Sequence, residues 1–135
     1  MLGALDADRE FICHLAIAWG MNNSRKRPAG KYVKDLEVQV KIFRKRRQNV
    51  DFLVVLSSRT NDLWSAAHPE YLLQYERVIL EKAIKWRNDI QLVNMTRLLS
   101  ELLERKDYYD LAGNGLHHPN DFRHALYCNA IVDVL

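Results

Sequence analysis

The sequence predicts an α/β fold built on a parallel sheet. Three short apolar runs alternate along the 135 residues with segments whose apolar side chains recur every three or four positions. Strands that alternate with helices in this way pair in parallel, because each helix returns the chain to the start of the next strand. The length allows one domain with a hydrophobic core, so we expect residues 1–135 to form a single domain.

The first strand is predicted in the apolar run Phe11–Trp19, which ends at Gly20. A polar loop rich in turn-forming residues follows at 22–30. The first helix is then predicted from an amphipathic spacing of about four turns, carried by Val33, Leu36, Val40 and Phe43.

The second strand is the clearest of the three. Asp51–Ser57 is β-branched and apolar on both faces, which is typical of the interior of a parallel sheet. A loop through Asn61, Asp62 and Trp64 leads to a second helix that begins near Pro69. Its predicted inner face consists of Leu72, Tyr75, Ile79, Ala83 and Trp86.

Ile90–Val93 is predicted as the third strand, and Thr96 as the cap of the helix that follows it. That helix carries Leu98, Leu99, Leu102 and Leu103 on one side. A final helix is predicted after residue 120, with an inner face of Phe122, Leu126, Ile131 and Val134. Ligands of parallel sheets bind at the carboxyl ends of the strands, and all three strand exits lead into polar loops.

A loop rich in histidine, Asn114–His124, lies directly before the last helix. It contains His117, His118 and His124 together with a glycine and a proline, and Asn120 or Asp121 is placed to cap the helix. The unperturbed pKa of histidine suits proton transfer near neutral pH. This loop is therefore the first candidate for a catalytic site.

A zinc site formed by His117, His118 and Asp121 is the weaker alternative, because adjacent loop histidines rarely point at one metal.

The charge is distributed unevenly along the chain. The net charge of +3 comes from segment 24–48, which holds ten Lys and Arg against two acids, while the rest of the chain is negative. A cluster such as Arg44–Arg47 is able to contact phosphates. It is also typical of a solvated helix face whose cations lie near the helix C-terminus, and no aromatic residues are interleaved for base stacking.

The composition is that of a globular protein, because 48% of the residues are hydrophobic and 27% are charged. No apolar run reaches the length of a membrane span, and the first ten residues carry acids where a signal peptide needs basic residues. We therefore expect a cytoplasmic protein, although a signal peptide in a missing N-terminal part would change this.

Cys13 and Cys128 lie in apolar patterns, which predicts buried thiols rather than a disulfide.

Three segments resemble the SGNH/GDSL hydrolases, a flavodoxin-like family of esterases, lipases and carbohydrate deacetylases. The run Ala16–Asn23 is similar to the family strand that ends in Gly-x-Asn-Asp, and Phe52–Ser57 with its loop is similar to the next strand. Leu111–Phe122, preceded by Lys106–Asp110, resembles the terminal block that carries the catalytic histidine before Pro-Asn. The resemblance covers residues 12–135.

The resemblance implies a role for each matching residue. His118 would be the general base, and the Asn22 side chain would donate to the oxyanion. Gly20, Asn61 and Trp64 would lie against the substrate. The implied reaction is hydrolysis of an ester on a lipid, an acylated sugar or a small acyl compound, with no cofactor and no metal.

Several positions depart from the family pattern. No Gly-Asp-Ser nucleophile block is present, and none of Ser24, Ser57, Ser58, Ser65 and Ser100 lies in such a context. Asn23 replaces an acid, Gly115 stands where an acid often orients the histidine, Arg123 replaces a common glycine, and Cys128 replaces a common alanine. The chain matches the family from its third strand onward, so the flavodoxin-like three-layer sandwich would lack its first two strands.

Two functional hypotheses follow from the sequence. The chain is either a truncated or inactive member of an esterase family, or a binding protein that uses segment 24–48 to contact nucleic acid or an acidic partner. An incomplete sheet also leaves an open strand edge, which predicts self-association.

Overall fold

The computed structural model describes residues 13–21, 27–47, 50–64, 68–86 and 89–135. Strands and helices alternate, as the sequence predicts, and the α/β class is confirmed. The elements in chain order are β1 Cys13–Ala18, α1 Ala29–Arg46, β2 Val50–Val55, α2 Pro69–Ala83, β3 Ile90–Val93, α3 Met95–Leu102, a 3₁₀ turn Tyr108–Asp110 and α4 Asp121–Val132.

The described strands form one parallel sheet in the order β1-β2-β3. Ala18 lies opposite Val55, and Val55 lies opposite Val93, so the three strands end side by side. The loops that leave these ends therefore start from one edge of the sheet, where parallel α/β proteins place their ligands.

β2 is the central strand and is buried on both faces. Phe52 and Val54 point into an apolar cluster with buried residues of α1 and α2, among them Leu36 and Ile79. Leu53 and Val55 point to the other face, where a smaller cluster is formed with Met95 and half-buried residues of α4. Helices thus cover both faces of β2, which explains why Asp51–Ser57 reads as a continuous apolar run.

Two helix caps decide where the last helices begin. The Asn94 side-chain oxygen accepts a hydrogen bond of 3.0 Å from the Arg97 N–H, so Asn94 caps α3 and the prediction of Thr96 is wrong. Thr96 is buried, and its hydroxyl donates to the Ser57 carbonyl at 2.5 Å. Asn120 caps α4 in the predicted manner by accepting from the Arg123 N–H.

Some residues predicted to face the core are exposed. The side of α1 and the side of α4 that pack on the sheet are each narrower than the apolar spacing predicts. Phe43 and Phe122 therefore lie at the surface. The Cys128 thiol is also exposed on α4, which corrects the prediction of a buried thiol. Tyr32 is buried beside Val33, although the apolar spacing of α1 does not predict it. Phe11 and the Cys13 side chain lie outside the described residues.

Within the described part of the chain, no helix combines the length and the apolar composition that crossing a bilayer requires.

Candidate functional site

The loop after β2 is bound directly to the histidine loop. Asn61 is 5% exposed, and its side-chain nitrogen donates to the Gly115 carbonyl at 2.8 Å. The Asn61 backbone N–H donates to the Leu116 carbonyl at 3.0 Å. Its side-chain oxygen accepts from the Leu63 N–H at 2.9 Å, so both ends of this side-chain amide have hydrogen-bond partners. Asn61 therefore fixes the histidine loop against the end of β2.

The histidine loop is folded around one amide oxygen. The Asn114 side-chain oxygen accepts hydrogen bonds from the backbone N–H groups of Leu116, His117 and His118, at 3.0, 3.0 and 3.1 Å. The Gly113 N–H donates to the His118 carbonyl at 2.9 Å and closes the base of the loop. The backbone that carries the two histidines is therefore set by hydrogen bonds within the loop itself.

Gly115 allows the turn between Asn114 and His117. Its φ is +68°, in the left-handed region that favours glycine, and a Cβ here would lie 2.8 Å from a ring carbon of Tyr109. The backbone conformation and the close approach of Tyr109 account for a glycine at this position.

His117 lies flat against Trp64. The two rings are stacked with their centroids 4.2 Å apart and their planes within 8°. The His117 Nδ1 atom is buried, and no hydrogen-bond partner for it is present among the described residues. Burial lowers the pKa of His117 below its ordinary value of 6.5, and the adjacent His118 and Arg123 lower it further. The neutral imidazole is therefore the favoured form at neutral pH.

His118 is exposed at the tip of the same loop. Its ring centroid lies 4.2 Å from that of His117, with the planes tilted by 38°. In the residues that the structure describes, no side chain forms a hydrogen bond with the His118 ring. The imidazole is thus accessible from solvent and rests on one side against the Trp64–His117 stack.

A buried guanidinium lies beneath the loop. Arg123 is 1% exposed, and it donates to the Tyr108 hydroxyl at 3.1 Å and to the Ser58 hydroxyl. Tyr108 donates in turn to the Arg59 carbonyl at 3.1 Å, and burial is the main reason why the pKa of Tyr108 is raised. Arg123 therefore joins the start of α4 to the loop after β2. In the sequence, Arg123 stands out only as a departure from the resemblance, and no pattern of residues predicts its burial.

Gly20 lies at the end of β1, next to a cavity of about 500 Å³. Its φ is +124°, and a Cβ here would lie 2.9 Å from the Tyr32 ring and 3.3 Å from the Ser57 hydroxyl. The cavity is lined by Ala18, Trp19, Gly20, Met21, Val55, Leu56, Ser57 and Tyr127, and His118 is not among these residues. The structure thus joins Asn61 and Trp64 to the histidine loop and places Gly20 at a separate cavity. Asn22 lies outside the described residues.

The hydroxyl groups of Ser57, Ser58 and Ser100 form hydrogen bonds with groups other than histidine. The Ser57 hydroxyl donates to the Trp19 carbonyl at 3.0 Å, and the Ser100 hydroxyl donates to the Thr96 carbonyl within α3. The buried Ser58 hydroxyl accepts from Arg123. None of these three is bonded to a histidine, so none forms a Ser–His pair. Ser24 and Ser65 lie outside the described residues.

Within the described ranges, no three His, Cys, Asp or Glu side chains lie close enough together to hold a metal ion. Comparisons with protein-family models, with curated proteins and with solved structures found no match for this chain. The described geometry therefore defines only an α/β protein with an accessible imidazole on a loop that is hydrogen-bonded to the loop after β2.

Proposed function

We propose that this chain carries the histidine-bearing part of an SGNH/GDSL-type ester hydrolase site, with His118 as the general base. In such a site a neutral imidazole takes the proton of a serine hydroxyl as the hydroxyl attacks an ester carbonyl. The substrate class is an ester of a lipid, an acylated sugar or a small acyl compound. The flavodoxin-like arrangement of the complete domain belongs to the same proposal.

One observation carries the proposal. The exposed His118 ring is presented by a backbone that Asn114 and Asn61 fix from two sides. A catalytic base has to be held in place and accessible at once, because proton transfer depends on its geometry as well as on its pKa. The partly buried Trp64–His117 stack provides an apolar wall beside it, which suits an acyl group or an alcohol.

We also propose that the chain has little or no esterase activity by itself, because it contains no Gly-Asp-Ser block. The described Ser57, Ser58 and Ser100 are bonded to other groups. The His118 imidazole then has no positioned serine hydroxyl from which to take a proton.

Hydrolysis of p-nitrophenyl acetate tests the missing nucleophile. We expect the wild-type rate to equal that of His118→Ala within about twofold, and a fluorophosphonate probe to label no serine. The control is His124→Ala, which removes another exposed histidine of the same segment. A clear rate that His118→Ala abolishes and His124→Ala retains would show that a serine in the chain is active, with Ser24 the first to test.

Binding of an alkyl phosphonate monoester, which imitates the tetrahedral anion without reacting, tests the base assignment separately. We expect its addition to shift the NMR signals of the His118 and Trp64 rings and to leave those of His124 unchanged. If the phosphonate shifts none of these signals at millimolar concentration, His118 is not part of an ester site and the assignment is wrong.

A further inference from the structure

The outward side of α1 carries an unusual combination of residues. Six positions lie along the side of α1 opposite the buried Tyr32, Leu36 and Val40, and one of them, Lys41, also lines the cavity between α1 and the sheet. All six are exposed: Lys31, Lys34, Val38, Lys41, Ile42 and Lys45. These six residues are called the outer face of α1 below.

The positive charge of this face is not balanced. Among the described residues, none of its four lysines forms an ion pair. The two acids of α1 flank this face: Asp35 pairs with Arg27 at 2.5 Å, and Glu37, four residues before Lys41, lines the same cavity as Lys41. Four like charges on neighbouring turns repel each other, so anions that lie against the face would stabilise it.

The other surface helices of the chain differ in this respect. On α2, Arg77 and Glu81 approach to 3.9 Å, and on α3, Arg97 and Glu101 approach to 2.7 Å. Both helices thus carry acids beside the basic residues on their exposed sides. The outer face of α1 differs from α2 and α3 because none of its own six residues is an acid.

Two aliphatic side chains lie within the basic stripe. Val38 is 53% exposed and Ile42 is 45% exposed, one turn apart and flanked by lysines on both sides. Recognition of nucleic-acid bases uses aromatic stacking or bidentate arginine contacts, and the outer face contains neither, while its lysines suit phosphates of either nucleic acid or lipid. Lysines that surround apolar side chains match the interface of an anionic bilayer, where the ammonium groups reach the phosphates and the aliphatic groups enter the headgroup layer.

We propose that the outer face of α1 binds peripherally to the surface of an anionic phospholipid bilayer. Helix α1 would lie parallel to the bilayer surface, and the sheet would lie on the side of α1 that faces away from the bilayer. The proposal does not depend on His118, because membrane binding is measured without any turnover.

Vesicle flotation tests this proposal. We expect the full chain to float with vesicles of phosphatidylcholine and phosphatidylserine, to remain in solution with phosphatidylcholine alone, and to bind less as salt is raised. Lys34→Glu with Lys45→Glu should weaken binding by roughly tenfold or more, since two attractive charges become repulsive. The matched control is Lys82→Glu with Lys85→Glu, which makes the same charge change on exposed residues at the end of α2.

A second pair of variants separates a bilayer from other polyanions. Val38→Ser with Ile42→Ser keeps every charge, so it should reduce vesicle binding severalfold if the aliphatic groups enter the lipid. Circular dichroism checks that each variant remains folded. The proposal is wrong if the wild type fails to float at low salt. It is also wrong if an unrelated oligonucleotide binds more tightly than the vesicles and the serine pair leaves vesicle binding unchanged.

Discussion

At the scale of single residues, the stacked His117 ring makes stability depend on pH. Burial holds its pKa in the folded chain below the value of 6.5 that it has when unfolded. The unfolded chain therefore binds more protons than the folded chain as the pH falls through 6.5 and below. It follows that the contribution of His117 to stability is complete above this pH and is lost as acid is added.

The substitution His117→Phe keeps a ring against Trp64 and removes the titration. We expect the free energy of unfolding to fall less between neutral pH and about pH 5 in this variant than in the wild type. The control is His124→Phe, because His124 is exposed on α4 and stacks on no ring among the described residues. Urea unfolding at several pH values measures the difference. Identical pH dependence in the wild type and His117→Phe would contradict the burial of this ring.

Asn114 organises the loop through a single oxygen atom that accepts three backbone N–H groups. The substitution Asn114→Ala removes that acceptor, and we expect a loss of about 1–2 kcal/mol in the free energy of unfolding. Asn129→Ala on the exposed side of α4 is the comparison, with an expected change within about 0.5 kcal/mol. Chemical denaturation compares both with the wild type, and equal stabilities would mean that the loop does not depend on Asn114.

At the scale of the elements, two glycines show how backbone conformation and packing decide the effect of one added methyl group. Gly20 has a φ of +124° at the end of β1 and faces the Tyr32 ring. Gly30 lies in the first turn of α1, and the methyl group of an alanine there would have no neighbouring atom within 4 Å. Gly20→Ala should therefore lower stability by about 1–3 kcal/mol. Gly30→Ala should raise it by up to about 1 kcal/mol, because alanine has the better helix propensity.

Thermal unfolding of the two alanine variants measures both effects with the same chemical change. A stable Gly20→Ala variant would show that the end of β1 adopts another backbone conformation. A destabilised Gly30→Ala variant would show that α1 begins later than Ala29.

At the scale of the whole molecule, the edge of the sheet at β1 predicts self-association. In the described part of the chain β1 pairs only with β2, and His14, Ala16 and Ala18 are exposed along it. An unpaired strand edge is able to pair with a second strand. Light scattering at micromolar concentration should detect dimers or larger species, and a monomer would contradict the prediction.

Ala16→Lys places a charge beside that edge and should reduce the association. The matched change Ala125→Lys, on the exposed side of α4, should leave it unaltered. Equal effects of the two substitutions would indicate a general charge effect instead of pairing through β1.

The sequence by itself determined the α/β class and the order of the elements, and it limited the cap of the last helix to Asn120 or Asp121, of which the structure has Asn120. These properties can be predicted from short stretches of sequence, because the spacing of apolar residues along one element indicates which of its faces is buried. The run Asp51–Ser57 could be recognised as a central strand for the same reason. The histidine loop was also found from its residues, although its internal structure was not.

Only the tertiary structure decided how the loops meet. It joined Asn61 to Gly115, stacked His117 on Trp64, buried Arg123 against Ser58 and left Cys128 exposed. The residues of each contacting pair are far apart in the sequence, and Cys128 is exposed because α4 packs through its other side. Such contacts form between loops that follow different strands, so they depend on how the strands are arranged in the sheet. A local pattern of residues does not predict that arrangement.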